Sequence, residues 1–377
     1  MFNFLFRRKN FRTKLIFIAP DINSGGAENI LFNVAKTLNK KDIVLISLTD
    51  IGFYGSKLKN YGYEFYALKM KKNIFAIFKF IYLIILIYKY KPLIVHTWLY
   101  RANLFGGVAA KIAGVNKIYW TIHHDFEYSN FLMMLEMKIL ILFSYFIPKK
   151  IIFGSDISKK NHILNGYSKD KSTIINNGVS TKIFKSNKKF RIDFRKALGI
   201  DEDCLVLGNI ARYHPLKDHE TLFKALQILK NKGLKFKCIL IGSGFTNKIK
   251  KIKERINYYE LNQNIIIYGQ TFKINEIINA FDINILTSKK ECSPISLLES
   301  MSTGVPCIST NVGDASQLIM DSGWTVQISD FKLLAELIQK IYIDKNIIKI
   351  KSKKARKRVE MFYRLEIMIE KYKALYF

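Results

Sequence analysis

Acidic residues are scarce in this chain: 30 Asp and Glu stand against 61 Lys and Arg, a formal net charge of +31 over 377 residues. That excess suits an anionic partner, whether nucleic acid, an anionic membrane or a phosphorylated substrate. The cations are spread along the chain, and no RNP-like aromatic motif or zinc-finger spacing accompanies them, so nucleic acid is not expected. A Lys/Ile/Asn-rich coding bias would account for part of the charge without function. Only six prolines occur, and no Pro-rich or Gly/Ser-rich run marks a long linker. The four cysteines, Cys204, Cys238, Cys292 and Cys307, contain no Cys-x-x-Cys pair. They exclude a disulfide framework and read as reduced residues of a cytosolic protein. Apolar runs of spanning length are also missing. Ile74 to Tyr90 is interrupted by Lys79, and Phe131 to Ile147 by Glu136 and Lys138. Both fall near or below the roughly 20 residues of a membrane span. The first reads as a helix half-buried in protein and half-dipped in lipid, given its Tyr, Phe and Lys content. Leu15 to Ala19 is too short for a signal-peptide core, and no suitable apolar segment follows Arg7-Arg8.

Strands alternate with helices over the whole length. Strands are expected at 14–19, 43–48, 64–67, 93–97, 117–122 and 150–154, then at 205–210, 237–241, 265–268, 283–287, 305–309 and 324–326. This order implies two doubly wound parallel sheets. The expected domains are 1–185 and 186–353, followed by a helix from 354 to 377. A polar connection near Phe184–Arg191 reads as the junction.

The most informative stretch is Lys290-Glu291-Cys292-Ser293-Pro294-Ile295-Ser296-Leu297-Leu298-Glu299. Ser293 suits a helix N-cap, Pro294 the first helical residue, and Gly304 the end. Glu291 would then precede a helix N-terminus that attracts anions, and Glu299 would project from its second turn. Arg212 and Lys217 follow strand 205–210, at the C-terminal edge where such sheets bind ligands. Arg forks onto phosphate oxygens, and Lys supplies a point charge. Gly25 and Gly26 lie between a strand and a helix, where a bare backbone lets N–H groups approach a phosphate or sugar. Gly242-Ser243-Gly244 also follows a strand but lacks a third spaced glycine. His123 ends an apolar strand; His96 is a poorer site residue. Asp201-Glu202-Asp203 precedes a strand and reads as a solvated turn, and no metal is expected.

Glu-x7-Glu, the apolar helix, Gly304-Val305-Pro306 and Asn311-Val312-Gly313-Asp314 together resemble the donor-site signature of the retaining GT-B glycosyltransferases of family four. Ser24-Gly25-Gly26-Ala27-Glu28, His96 to Val115, Thr121-Ile122-His123, Asn177-Gly178-Val179, Arg212 with Lys217, and Gly242-Ser243-Gly244 are similar to its remaining motifs, in order. The resemblance implies two Rossmann-like domains facing across a cleft, 1–185 on the acceptor side and 186–353 for the nucleotide-sugar donor, with the helix from 354 to 377 crossing back to the first. It implies that Glu291, Ser293, Ile295 and Ser296 contact sugar and diphosphate, and that Glu299 holds ribose. It gives Arg212 and Lys217 the leaving diphosphate, and His123 the transferred sugar. The activity implied is retaining transfer from a nucleotide-sugar, with UDP as the expected nucleotide, to a lipid-linked oligosaccharide, capsule or lipopolysaccharide. The expected location is the cytoplasmic face of the inner membrane, on an anionic lipid surface. Two departures stand out: Cys292 replaces the usual Gly, and Gln317 stands where many relatives carry Glu. An epimerase on the same fold and a non-catalytic protein that binds anionic surfaces remain the alternatives.

Overall fold

The computed structural model describes residues 14–23, 25–71, 75–126, 130–245 and 249–377. Ser24 of the glycine motif, Ile74 of the first apolar stretch and Arg7-Arg8 lie outside the described residues. The chain divides into two compact units. One runs to Asn177 and includes Met368–Phe377, and the other is Gly178–Ile367.

Among the described residues, the first unit holds a seven-stranded sheet in the order β3-β2-β1-β4-β5-β6-β7. Its strands are β1 (Leu15–Ala19), β2 (Ile43–Ser47), β3 (Glu64–Ala67), β4 (Ile94–Trp98), β5 (Lys117–Ile122), β6 (Lys150–Phe153) and β7 (Ser172–Ile174). All neighbours are parallel. β1, β2 and β4 are buried along their whole length, which is why they read as continuous apolar runs. Parallel crossovers are right-handed. The chain moves one way from β1 to β3 and the other way from β3 to β7, so the helices after β3 share one face of the sheet. Their buried sides form a single core: Leu83, Leu86 and Ile87 of helix Phe75–Tyr90, Ala109 and Ala110 of helix Gly107–Ile112, and Met137 and Leu140 of helix Phe131–Ser144.

The second unit holds a six-stranded parallel sheet in the order β10-β9-β8-β11-β12-β13. Its strands are β8 (Leu205–Ile210), β9 (Phe236–Ile241), β10 (Ile265–Gly269), β11 (Ile283–Leu286), β12 (Cys307–Thr310) and β13 (Trp324–Val326). Helices Gly26–Lys36, His219–Asn231 and Ile295–Thr303 follow β1, β8 and β11. The expected pair of doubly wound sheets is therefore present.

Several local expectations need correction. β7 went unread because three residues carry too little periodicity. β12 starts at Cys307, since Pro306 cannot donate to a ladder; its carbonyl instead accepts from Asn284 N at 3.0 Å. The supposed junction near 184–191 runs into a helix, Lys188–Ala197. Arg195 anchors that helix, ion-paired with Asp282 at 2.8 Å. The expected single terminal helix is two, Asn346–Phe362 and Leu365–Tyr376. The break at Tyr363 and Arg364 has no Pro or Gly to announce it. It is made by Val179, whose N–H donates to Tyr363 O at 2.9 Å and whose carbonyl accepts from Leu365 N at 2.9 Å.

Gly208 lies in β8 directly under Phe281. A Cβ there would sit 2.1 Å from the Phe281 ring, which is buried. Gly208→Ala is expected to destabilise the second unit by about 1–3 kcal/mol through overpacking, read as a lower urea midpoint by tryptophan fluorescence.

Candidate functional site

In the second sheet the chain runs one way from β8 to β10 and the other way from β11 to β13. β8 and β11 are the strands on either side of that reversal. Loops leaving the C-terminal ends of two such strands diverge and open a crevice where ligands bind. Lys217, Glu291 and Glu299 belong to the elements that leave these two strand ends.

The β8 loop carries Arg212 and ends in a single turn, Pro215–Lys217. His214 caps that turn by accepting from Leu216 N. Asp218 then takes the left-handed conformation, φ 45°, and caps helix His219–Asn231 by accepting from Thr221 N. The β11 loop folds onto this one. Lys289 N donates to Leu216 O at 2.8 Å. Thr287 Oγ1 donates to Lys217 O at 3.1 Å and to Asp218 O at 3.0 Å. These bonds bring Lys217 and Glu291 together: Lys217 Nζ donates to Glu291 Oε1, and Ser288 Oγ donates to the same oxygen at 2.6 Å. Both side chains are largely buried, at 19% and 12% exposure. Removing either partner would therefore strand a charge in a poorly solvated place. Arg212 is exposed and has no hydrogen-bond or ion-pair partner among the described residues.

Helix Ile295–Thr303 follows. The expected cap is displaced by one residue: Pro294 occupies the N-cap position, with ψ 110°, so Ser293 lies before the cap and Pro294 is not the first helical residue. The reason is that Leu297 N already reaches Pro294 O, at 3.2 Å. The N–H groups of Ile295 and Ser296 have no carbonyl partner within the helix, as at any helix start. Leu297, Leu298 and Met301 are buried in the core, which fixes the helix and points half-buried Glu299 away from it. Desolvation pushes the Glu299 carboxyl up to about 8.

Two glycine contacts shape these loops. Gly313 has φ 50°, and a Cβ there would lie 2.4 Å from both Glu291 O and Cys292 O. The Asn311-Val312-Gly313-Asp314 segment is thus the floor under the Glu291 loop, and Asp314 N donates to Cys292 O at 2.9 Å. Gly242 lies against the β8 loop, where a Cβ would meet Ala211 O at 2.1 Å. Cys292 is not among the residues with positive φ, so its backbone accepts a side chain without strain. Asp201, Glu202 and Asp203 are exposed before β8, and Asp201 and Asp203 pair with Lys235. Among the described residues, no group of three or more His, Cys, Asp or Glu could hold a metal ion.

In the first unit, Gly25 caps and Gly26 opens helix Gly26–Lys36, after β1. A Cβ on Gly25 would lie 2.0 Å from Glu28 Oε2, so the Glu28 carboxyl covers this helix start. Desolvation raises its pKa, and Asp21 adds to the rise. His123 follows β5. Its ring stacks on Trp98 at 5.4 Å, and Trp98 stacks on Tyr372 at 5.6 Å. His123 Nε2 is buried without a hydrogen-bond partner. Burial pulls the imidazole down to about 3, with His124 adding to the shift, so the ring is neutral at physiological pH. His96 is structural: its ring nitrogens bond Tyr376 Oη at 2.7 Å and Thr121 Oγ1 at 2.6 Å. Sequence reasoning missed Thr287, Ser288, Trp98 and Tyr372. Only the first two carried a signal, as polar residues at the end of an apolar strand.

Residues 24–183 match Glycosyltransferase Family 4, and residues 190–358 match Glycosyl transferases group 1. The chain belongs to this family of GT-B glycosyltransferases. It is 26% identical over 342 residues to the Staphylococcus aureus capsular polysaccharide biosynthesis glycosyltransferase CapM, covering 85% of this chain and 87% of that protein. It is 25% identical to the Escherichia coli UDP-Gal:alpha-D-GlcNAc-diphosphoundecaprenol alpha-1,3-galactosyltransferase, over 82% of this chain and 80% of the other. A match to the Bacillus subtilis protein EpsF spans 56% of that protein. The crystal structure of Anabaena HepE in complex with UDP-glucose shares the fold, with a TM-score of 0.86 at 18% identity over 96% of this chain and 98% of that one.

The Glu299 shift has a stability consequence. Between 4.5 and about 8 the folded carboxyl holds a proton that the unfolded one has released. Stability therefore falls as pH rises through that window. In Glu299→Gln that contribution to the decline is expected to vanish, measured as urea midpoints from pH 5 to pH 8.5 against the unchanged chain.

Proposed function

We propose that this glycosyltransferase moves a sugar from a UDP-sugar to a lipid-linked oligosaccharide, capsule or lipopolysaccharide acceptor, with retention of anomeric configuration. The observation that carries this reading is the assembly at the β8/β11 reversal. There the Lys217–Glu291 pair, unpaired Arg212 and the start of helix Ile295–Thr303 sit at one strand edge. The UDP-glucose complex of HepE and the activity named for the E. coli galactosyltransferase support a UDP-linked donor and a lipid diphosphate acceptor. CapM supports a role in bacterial polysaccharide synthesis. We assign the sugar to hexoses or N-acetylhexosamines on the same grounds.

Transfer breaks the bond from the anomeric carbon to the β-phosphate oxygen, which leaves with the electron pair. The acceptor oxygen bonds to the anomeric carbon on the face the leaving group vacates, and its proton passes to the departing phosphate oxygen. Charge grows on the diphosphate, and Arg212 and Lys217 neutralise it together with the N–H groups of Ile295 and Ser296. In this scheme no metal is required. Glu299 holds the ribose hydroxyls by hydrogen bonds, and Glu291 accepts from a sugar hydroxyl while holding Lys217 in place. At Gly25 and Gly242 the bare backbone faces the Glu28 carboxyl and Ala211 O, so these glycines shape the loops around the site. Neutral His123 offers its buried Nε2 to a sugar hydroxyl. The protein works at the cytoplasmic face of the inner membrane, against anionic lipid.

Purified protein is expected to release UDP slowly from one UDP-sugar in a panel of UDP-, GDP- and ADP-sugars. Release or binding with none of them would sink the reading. Arg212→Ala should lower turnover by about 10²–10³-fold, the scale for losing one transition-state charge partner, with unchanged circular dichroism. Glu299→Ala should act mainly on donor KM, measured in the same assay.

A further inference from the structure

We propose that the outward face of helices Phe75–Tyr90 and Phe131–Ser144 is the surface that seats this protein on an anionic lipid bilayer. The inference rests on the membrane location proposed above and names the residues that make the contact.

Both helices lie on one face of the first sheet, because the crossovers after β3 share a hand. Their inner sides are spent on the core described above, yet their outer sides are also apolar. Phe75, Phe78, Phe131 and Leu132 are 65%, 66%, 72% and 73% exposed. Ile77, Ile81, Leu135, Leu142 and Phe146 are exposed as well. Between the two helices runs 102–112. Phe80 meets Phe105 at 6.2 Å, and a Cβ on Gly107 would sit 3.3 Å from Ile147. Apolar contacts therefore link three neighbouring segments that each carry exposed apolar side chains. Monomeric soluble proteins rarely leave large apolar patches uncovered.

A span does not explain it. Sixteen residues make a helix of about 24 Å, short of a hydrocarbon core of about 30 Å. Among the described residues no helix is long and apolar enough to cross a membrane. A helix lying in the interface fits, with aromatic and aliphatic side chains dipping below the headgroups and cations among them.

Charge selects the occupant. Residues 75–150 contain nine Lys and Arg against three Asp and Glu. Lys79, Lys111, Lys138 and Lys149 are exposed on or beside this face. A second copy docking on the same face would press these cations together, whereas anionic headgroups neutralise them.

The test is flotation of the full chain with vesicles of phosphatidylcholine alone or mixed with phosphatidylglycerol. Binding to the mixed vesicles alone, weakened by salt, is the expected result. The double substitutions Phe75→Ser with Phe78→Ser, and Phe131→Ser with Leu132→Ser, should each weaken partition about tenfold or more. Both pairs are exposed, so UDP binding by calorimetry should not change. Vesicle binding that the substitutions leave intact would overturn the proposal, as would no binding to either vesicle. So would a dimer in sedimentation velocity that only the substituted chains lose. Because vesicle binding needs no sugar transfer, failure of this surface and failure of the donor assignment give different results.

Discussion

The second unit is organised around one ion pair at one topological point. β8 and β11 are parallel neighbours in the sheet, but the loops leaving their C-terminal ends diverge and have no shared ladder to hold them. Lys217 and Glu291 close that gap, and Thr287, Ser288 and Lys289 supply the surrounding hydrogen bonds. The pair is largely withdrawn from water, so each charge needs the other. An arrangement of this kind holds a cation and a carboxylate at a fixed separation before any ligand arrives. Pre-organised charge is what a reaction that builds charge on a leaving group uses.

The surrounding backbone serves the same end. Gly313 lets one segment pass beneath Glu291 and Cys292, and Gly242 lets another press against the β8 loop. Pro294 sets the extended entry to helix Ile295–Thr303. In the first unit the constraint is aromatic: Trp98 lies between His123 and Tyr372, so a residue from the last helix helps set the plane of the His123 ring. His96, close by, is consumed by two hydrogen bonds, and that is the difference between a structural histidine and one with a free nitrogen.

Much of this was legible beforehand, for identifiable reasons. β1, β2, β5 and β8 announce themselves because strands of a parallel sheet are buried on both faces and become unbroken apolar runs. Arg212, Lys217, Glu291 and Glu299 were singled out through the family resemblance, and each follows such a run or sits on the helix after it. The helix Lys188–Ala197 was hidden because its anchor is Arg195, a charged residue buried against Asp282 far along the chain. The break between Asn346–Phe362 and Leu365–Tyr376 was hidden because Val179 makes it, nearly two hundred residues away. The role of Gly313 was equally silent, since close approach is a property of two segments and not of one.

The order of residues alone determined the alternation of strand and helix, the two parallel sheets and the spacing of the acidic pair around one helix, because these depend on local periodicity and on which side chains must leave water. Folding in three dimensions decided which polar groups became partners. Whether Lys217 meets Glu291, whether a histidine keeps a nitrogen free, and how far Glu299 is desolvated depend on neighbours brought together from distant parts of the chain. A one-dimensional pattern holds no record of those distances, and electrostatic energy depends on nothing so strongly as distance and surroundings.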